Sequence, residues 1–153
     1  MFNIVLVNPE IPPNTGNISR TCAVTGTRLH LIRPLGFEIN DKTLKRAGLD
    51  YWKDLDVSYY DSFEELEAKY SDGRFFLTST HAVRSYADVE YRDGDFLVFG
   101  RETAGLGPEL LTRRAKDAIR IAMRHDQRSL NLSNSAAIVL YEALRQTGFQ
   151  GLE

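Results

Sequence analysis

A chain of 153 residues, 42% hydrophobic and 26% charged, has enough apolar material for one domain that folds without metal or disulfides, so residues 1–153 read as a single unit. A formal charge of −2 with a pI of about 5.9 excludes a general electrostatic grip on nucleic acid, and the longest apolar run, 136–141, is too short to span a membrane. One cysteine, Cys22, cannot form an internal disulfide, and with no hydrophobic leader the expectation is a reduced, cytoplasmic protein.

In chain order, residues 4–7 are apolar at every position, as in a strand covered on both faces. Pro12-Pro13 reads as a surface loop, and 17–25 as a helix stopped by Gly26. A strand at 29–32, a loop at 34–40 and a helical piece at 42–47 follow, then a helix at 62–70 and a strand at 75–77. The stretch 86–94 reads as another surface loop. A fully apolar strand at 96–99, a helix at 108–115, a strand at 118–121 and a helix at 135–147 complete the chain. Strands alternating with helices predict a parallel sheet flanked by helices. The last helix is apolar nearly all round from Ala136 to Tyr141, which leaves two readings: a buried central helix or a homodimer interface.

Three polar or glycine-rich stretches, 14–20, 99–107 and 128–134, each adjoin an apolar run, and ligands of α/β proteins collect at the carboxyl ends of parallel strands. Together they predict one composite site. The loop from Gly100 lacks the Lys-Ser/Thr pair of a P-loop and the GxGxxG spacing of a dinucleotide turn. It offers backbone able to approach a ligand closely. Glu102, the carboxylate in that loop, reads as tying down the turn. Asn17 and Arg20 share a helix face, with Ile18 and Cys22 turned to the core. Ser133 or Ser135 is the expected cap of the last helix. His30, His81 and His125 have no ligand-like spacing, so no metal is expected.

Residues 14–20, 100–107 and 121–136 resemble motifs 1, 2 and 3 of the SpoU (TrmH-like) branch of the SPOUT RNA methyltransferases, and the likeness runs over nearly the whole chain. Glu10 to Asn17 and Arg128 to Asn134 are most similar to the small single-domain YibK/TrmL group, which methylates the wobble nucleotide of tRNA, cytidine or modified uridine at position 34, on its ribose 2'-hydroxyl. Arg101, Ala104 and Ala122 depart from the residues frequent in that group. The resemblance implies a SPOUT-type α/β fold with a deep C-terminal trefoil knot, a homodimer with Tyr141 near the interface, and S-adenosylmethionine as cofactor. It implies a cofactor pocket of Leu77, Thr78, Gly100, Glu102, Gly105, Ile121, Met123, Ser129 and Leu130. Substrate contacts fall on Asn14, Arg20, Arg101, Arg128 and Asn131, with Arg20 and Asn17 at the chemistry. The implied partner is a tRNA anticodon loop, with neither DNA nor membrane, and Lys42, Lys45, Arg46, Arg124 and Arg128 as local basic groups. A ribosomal RNA substrate, or a non-catalytic RNA-binding protein on the same fold, is the alternative.

Overall fold

The computed structural model describes residues 1–39 and 52–153. The helical piece read at 42–47, with Lys42, Lys45 and Arg46, lies outside the described residues.

Six strands, β1 (Asn3–Val7), β2 (Arg28–Ile32), β3 (Val57–Tyr60), β4 (Phe75–Thr78), β5 (Phe96–Phe99) and β6 (Ala118–Ile119), form one sheet in the order β3-β2-β1-β5-β4-β6. Every pairing is parallel. The fully apolar runs of β1 and β5 pair at its centre, Asn3 opposite Phe96 and Leu6 opposite Phe99, and every residue of both strands is buried.

Helices cover both faces, as two-sided burial requires. Helices α1 (Pro12–Thr25) and α4 (Leu132–Gln146) pack beside each other on one face. Ile18, Cys22, Val139, Leu140 and Ala143 meet Ile4, Leu6, Leu29, Leu97 and Phe99 there. On the other face α2 (Phe63–Lys69) and α3 (Pro108–Arg113) bring Phe63, Leu66, Leu110 and Leu111 against Val5, Val7, Phe75, Leu77 and Val98. The alternation of Val5, Leu6 and Val7 between the two cores is the period-two geometry of a strand.

Four expectations need correction. Pro12-Pro13 is the first turn of α1, where a missing N–H leaves no helical bond unmade and a fixed φ suits the helix. Residues 14–16 are therefore helical and buried. The stretch 86–94 carries two core residues, Val89 and Tyr91. Gln146 of α4 donates to the Val89 carbonyl and accepts from the Tyr91 N–H, each over 2.9 Å, and the Tyr91 hydroxyl donates to the Tyr86 carbonyl. Strand β3 escaped the sequence because it is a short, half-exposed edge without a continuous apolar run. The cap of α4 is Asn131, four residues before the expected helix start.

Local signals explain the other termini. Ser62 caps α2 by accepting from the Glu65 N–H, and Glu65 reaches back to the Asp61 N–H, a reciprocal arrangement worth about 1 kcal/mol. Gly26, in the left-handed region at φ +69°, ends α1.

Candidate active site

The strand order reverses direction between β1 and β5, and a crevice outside the carboxyl ends of strands at such a point is where open α/β sheets bind ligands. A cleft of about 760 Å³ lies beside that point, beyond the carboxyl ends of β4, β5 and β6. It is walled by the end of β4, the loop after β5, the segment after β6 and the first turn of α1.

Loop 100–107 closes on itself: the Gly105 N–H donates to the Arg101 carbonyl over 2.9 Å. An added Cβ on Gly100 would lie 2.2 Å from the Gly105 carbonyl carbon and 2.3 Å from the Leu106 nitrogen, so only glycine fits under the loop's return. Gly105 itself faces open space and is required by its φ of +64° instead.

The loop is also fastened to the chain entering α1. The Glu102 carboxylate accepts from the Glu10 N–H at 2.9 Å and the Ile11 N–H at 3.3 Å, while the Glu10 carboxylate accepts from the Thr103 N–H at 3.1 Å and the Thr103 hydroxyl at 2.7 Å. These bonds hold the Glu10 carboxyl below its ordinary range, first through the hydroxyl, then the amide, with Arg101 adding a favourable charge. Glu102 thus ties down the turn, as the residue-level reading expects.

Segment 128–131 meets α1 through Asn131. Its side-chain oxygen accepts from the Asn134 N–H and the Ser133 hydroxyl, capping α4, and its amide donates to the Asn14 side-chain oxygen. The polar residues of the first and third stretches are thereby joined directly.

Of the residues singled out in the sequence, Asn14, Thr78, Gly100, Arg101, Glu102, Gly105, Ile121, Met123, Arg128, Ser129, Leu130 and Asn131 line the cleft. Leu77 lies just behind it, fully buried. Asn17 and Arg20 lie on the exposed face of α1, outside the lining, and Tyr141 lies on the exposed face of α4. Sequence reasoning missed Ser79, Thr80, His81 and Arg120 of the wall. Their signal was position: each follows the end of a strand at the ligand-binding edge of the sheet.

The chemistry of the lining can be tested against a nucleoside-like ligand. The Thr78 hydroxyl is buried without a hydrogen-bond partner, and such a group is normally answered by a ligand or water. Ile121, Met123 and Leu130 offer aliphatic surface, and the loop offers backbone groups. These suit a purine, a ribose and a thioether, as in S-adenosylmethionine. Among the described residues no group of three or more His, Cys, Asp or Glu could hold a metal ion, and no helix is long and apolar enough to cross a membrane.

Several known proteins to which this chain is similar are named for RNA methylation. The chain is 49% identical over 152 residues, 99% of each chain, to the tRNA (cytidine(34)-2'-O)-methyltransferase of Methylovorus glucosotrophus, and 50% identical, again over 99% of each, to that of Saccharophagus degradans. A solved structure presented as insight into the 2-OH methylation of C/U34 on tRNA superimposes with a TM-score of 0.90 at 45% identity, covering 97% of both chains. The SpoU methyltransferase AviRb of Streptomyces viridochromogenes, in complex with AdoMet, superimposes with a TM-score of 0.82 at 25% identity, over 95% of this chain and 57% of that one. The model of the SpoU rRNA methylase family matches residues 1–141, and with that extent of agreement this chain belongs to the SpoU methylase family.

Proposed function

We propose that this protein transfers a methyl group from S-adenosylmethionine to the ribose 2'-hydroxyl of the wobble nucleotide, position 34, of a tRNA. The observation that carries the proposal is the cleft beside the switch point: a composite of all three sequence stretches, with an unanswered Thr78 hydroxyl, apolar faces and no phosphate-binding loop. The names of the full-length relatives support the substrate.

Thr78, Gly100, Gly105, Ile121, Met123, Ser129 and Leu130 would hold the cofactor, with Leu77 backing them. When bound, S-adenosylmethionine supplies an activated methyl on a sulfonium. The protein's task is to hold the ribose hydroxyl in line with it, which contributes about 7 to 11 kcal/mol in favourable cases. A guanidinium stays protonated, so Arg20 acts by gripping the adjacent phosphate and stabilising the developing alkoxide, with Asn17 beside it one turn earlier on α1. Arg101 and Arg128 on the cleft wall supply local positive charge that the net charge lacks, while Arg124 nearby in sequence is paired with Asp126 over 3.1 Å.

Two further features belong to the same proposal: a C-terminal segment threaded as a deep trefoil knot, supported by family membership, and a homodimer. Ile138 and Tyr141, 37% and 45% exposed, share the outer face of α4, and Val24 is exposed on α1 beside it. An apolar strip on packed neighbouring helices supports pairing with a second copy, which brings Arg20 toward a subunit boundary. Sedimentation at micromolar concentration reads the dimer, and a stable monomer contradicts it. The test of the reaction is nucleoside mass mapping of tRNA from cells with and without this protein. Loss of a 2'-O-methyl group at position 34 is expected, and unchanged wobble nucleotides overturn the proposal.

A further inference from the structure

Helix α1 opens on two prolines, so its first turn lacks the usual free amides, and the donors left exposed are the N–H groups of Glu10 and Ile11. Ile11, the capping residue, supplies no side-chain cap. The missing acceptor comes from 92 and 91 residues away, as Glu102 takes both donors. A single tie of this kind would let the loop rotate about one carboxylate. The second tie runs the opposite way: Glu10 takes the amide and hydroxyl of Thr103. Four hydrogen bonds in two opposed pairs fix both the position and the orientation of loop 100–107 on α1, across the crevice between β1 and β5. Gly36 closes the arrangement from outside: its N–H donates to the Pro9 carbonyl, and a Cβ there would lie 2.8 Å from the Glu10 Cα. The backbone of Glu10 is thus held while its side chain holds the loop.

We propose that Glu10 is a positioning residue for methyl transfer, which through Thr103 holds the cofactor-lining loop in its binding-competent form and couples that loop to the helix bearing Asn17 and Arg20. The inference rests on the methyltransferase reading above. Glu10 touches neither cofactor nor substrate in this role. Because the Glu102 tie survives its loss, the loop is loosened without being released, and the effect falls on the fraction of molecules competent to bind. A carboxamide still offers Thr103 an acceptor oxygen, so glutamine is the conservative replacement.

The experiment compares wild type, Glu10→Ala and Glu10→Gln. Amide hydrogen exchange without any ligand reads the clasp itself: in Glu10→Ala the Thr103 and Gly105 amides should exchange at least tenfold faster, while β5 amides stay unchanged. Calorimetry with S-adenosylmethionine and steady-state methylation of an anticodon stem-loop then read its consequence. Glu10→Ala should raise Kd and KM for the cofactor about tenfold and lower kcat at saturating cofactor less than threefold, with Glu10→Gln near wild type. Unchanged loop exchange, or wild-type cofactor affinity in Glu10→Ala, overturns the assignment. So does an equal loss in Glu10→Gln or a loss confined to kcat. Wild-type protein that binds no cofactor while the exchange difference persists refutes the methyltransferase reading instead.

Discussion

The side-chain amide of Asn131 donates to the side-chain oxygen of Asn14 over 3.1 Å, joining residues 117 positions apart. One side chain therefore performs two separable tasks, since its oxygen caps α4 while its amide locks the segment lining the cleft onto buried Asn14. Serine caps a helix as well as asparagine but is too short to span to Asn14. Asn131→Ser should keep stability within about 0.5 kcal/mol while Asn131→Ala loses about 1 kcal/mol, read by urea unfolding. Both should weaken cofactor binding several-fold. In a double-mutant cycle, Asn14→Ala should add little to Asn131→Ser, because the bond is already gone.

Loop 100–107 should respond unequally to two apparently similar changes. Gly100→Ala forces a Cβ against the backbone of Gly105 and Leu106, which cannot yield without moving the loop. Gly105→Ala meets open space and bears only the cost of its left-handed backbone, about 1 kcal/mol. Calorimetry should find cofactor binding abolished in the first and reduced about fivefold to tenfold in the second. The reverse order would show that the loop's closure is not what forms the cleft.

Arg20 lies outside the cleft lining, so its assignment to the substrate side makes a sharp prediction. Arg20→Ala should leave cofactor affinity within twofold and reduce methyl transfer by more than 100-fold. Arg20→Lys should recover little, because an ammonium lacks the forked donors of the guanidinium. Parallel losses in binding and turnover would place the residue in the cofactor site.

His30 provides a pH test of the fold that is independent of the site. Asn3 donates its amide to the carbonyls of Gly94 and Asp95, so its oxygen accepts, and the His30 Nε2–H donates to it at 2.9 Å. Nδ1 then accepts the Tyr60 hydroxyl at 3.0 Å. The Tyr60 bond needs the neutral ring, because a protonated Nδ1 can no longer accept, whereas Nε2–H donates to Asn3 in either state. Burial, the largest cause, lowers the His30 pKa to about 4 from an ordinary 6.5, with Lys69 and Arg28 adding to the fall and Asp56 opposing it. The folded value is the depressed one, so the stability is fully present above about pH 6.5 and is lost as pH falls toward 4, by up to about 3 kcal/mol. Unfolding free energies from pH 7 to 4.5 should show this slope in the wild type and a flatter one in His30→Gln.

The sequence made legible what depends on local pattern. Every strand with a continuous apolar run was readable, because burial on both faces leaves no polar position in the run; β3 was not, because an edge strand needs no such run. The three site stretches stood out because glycine, asparagine, serine and threonine clustered beside apolar runs serve turns, caps and ligands better than cores. Their pairings were hidden. Glu10 meets Thr103 across 93 positions, and Asn131 rather than Ser133 caps α4 because its oxygen reaches the Asn134 N–H from outside the helix. The buried start of α1 was obscured by Pro12-Pro13, since proline signals a turn in general and a helix start only at its first positions.

The central claim is transfer of a methyl group to the wobble ribose of a tRNA. Its most direct test incubates an anticodon stem-loop RNA with the protein and methyl-labelled S-adenosylmethionine, beside an otherwise identical RNA whose position 34 is 2'-deoxy. A compact loop with splayed bases is the target a small, slightly acidic domain can read. The account predicts label in the first RNA, on the position 34 ribose, and none in the second. Label in the deoxy RNA, or in ribosomal fragments but in no tRNA, would contradict it.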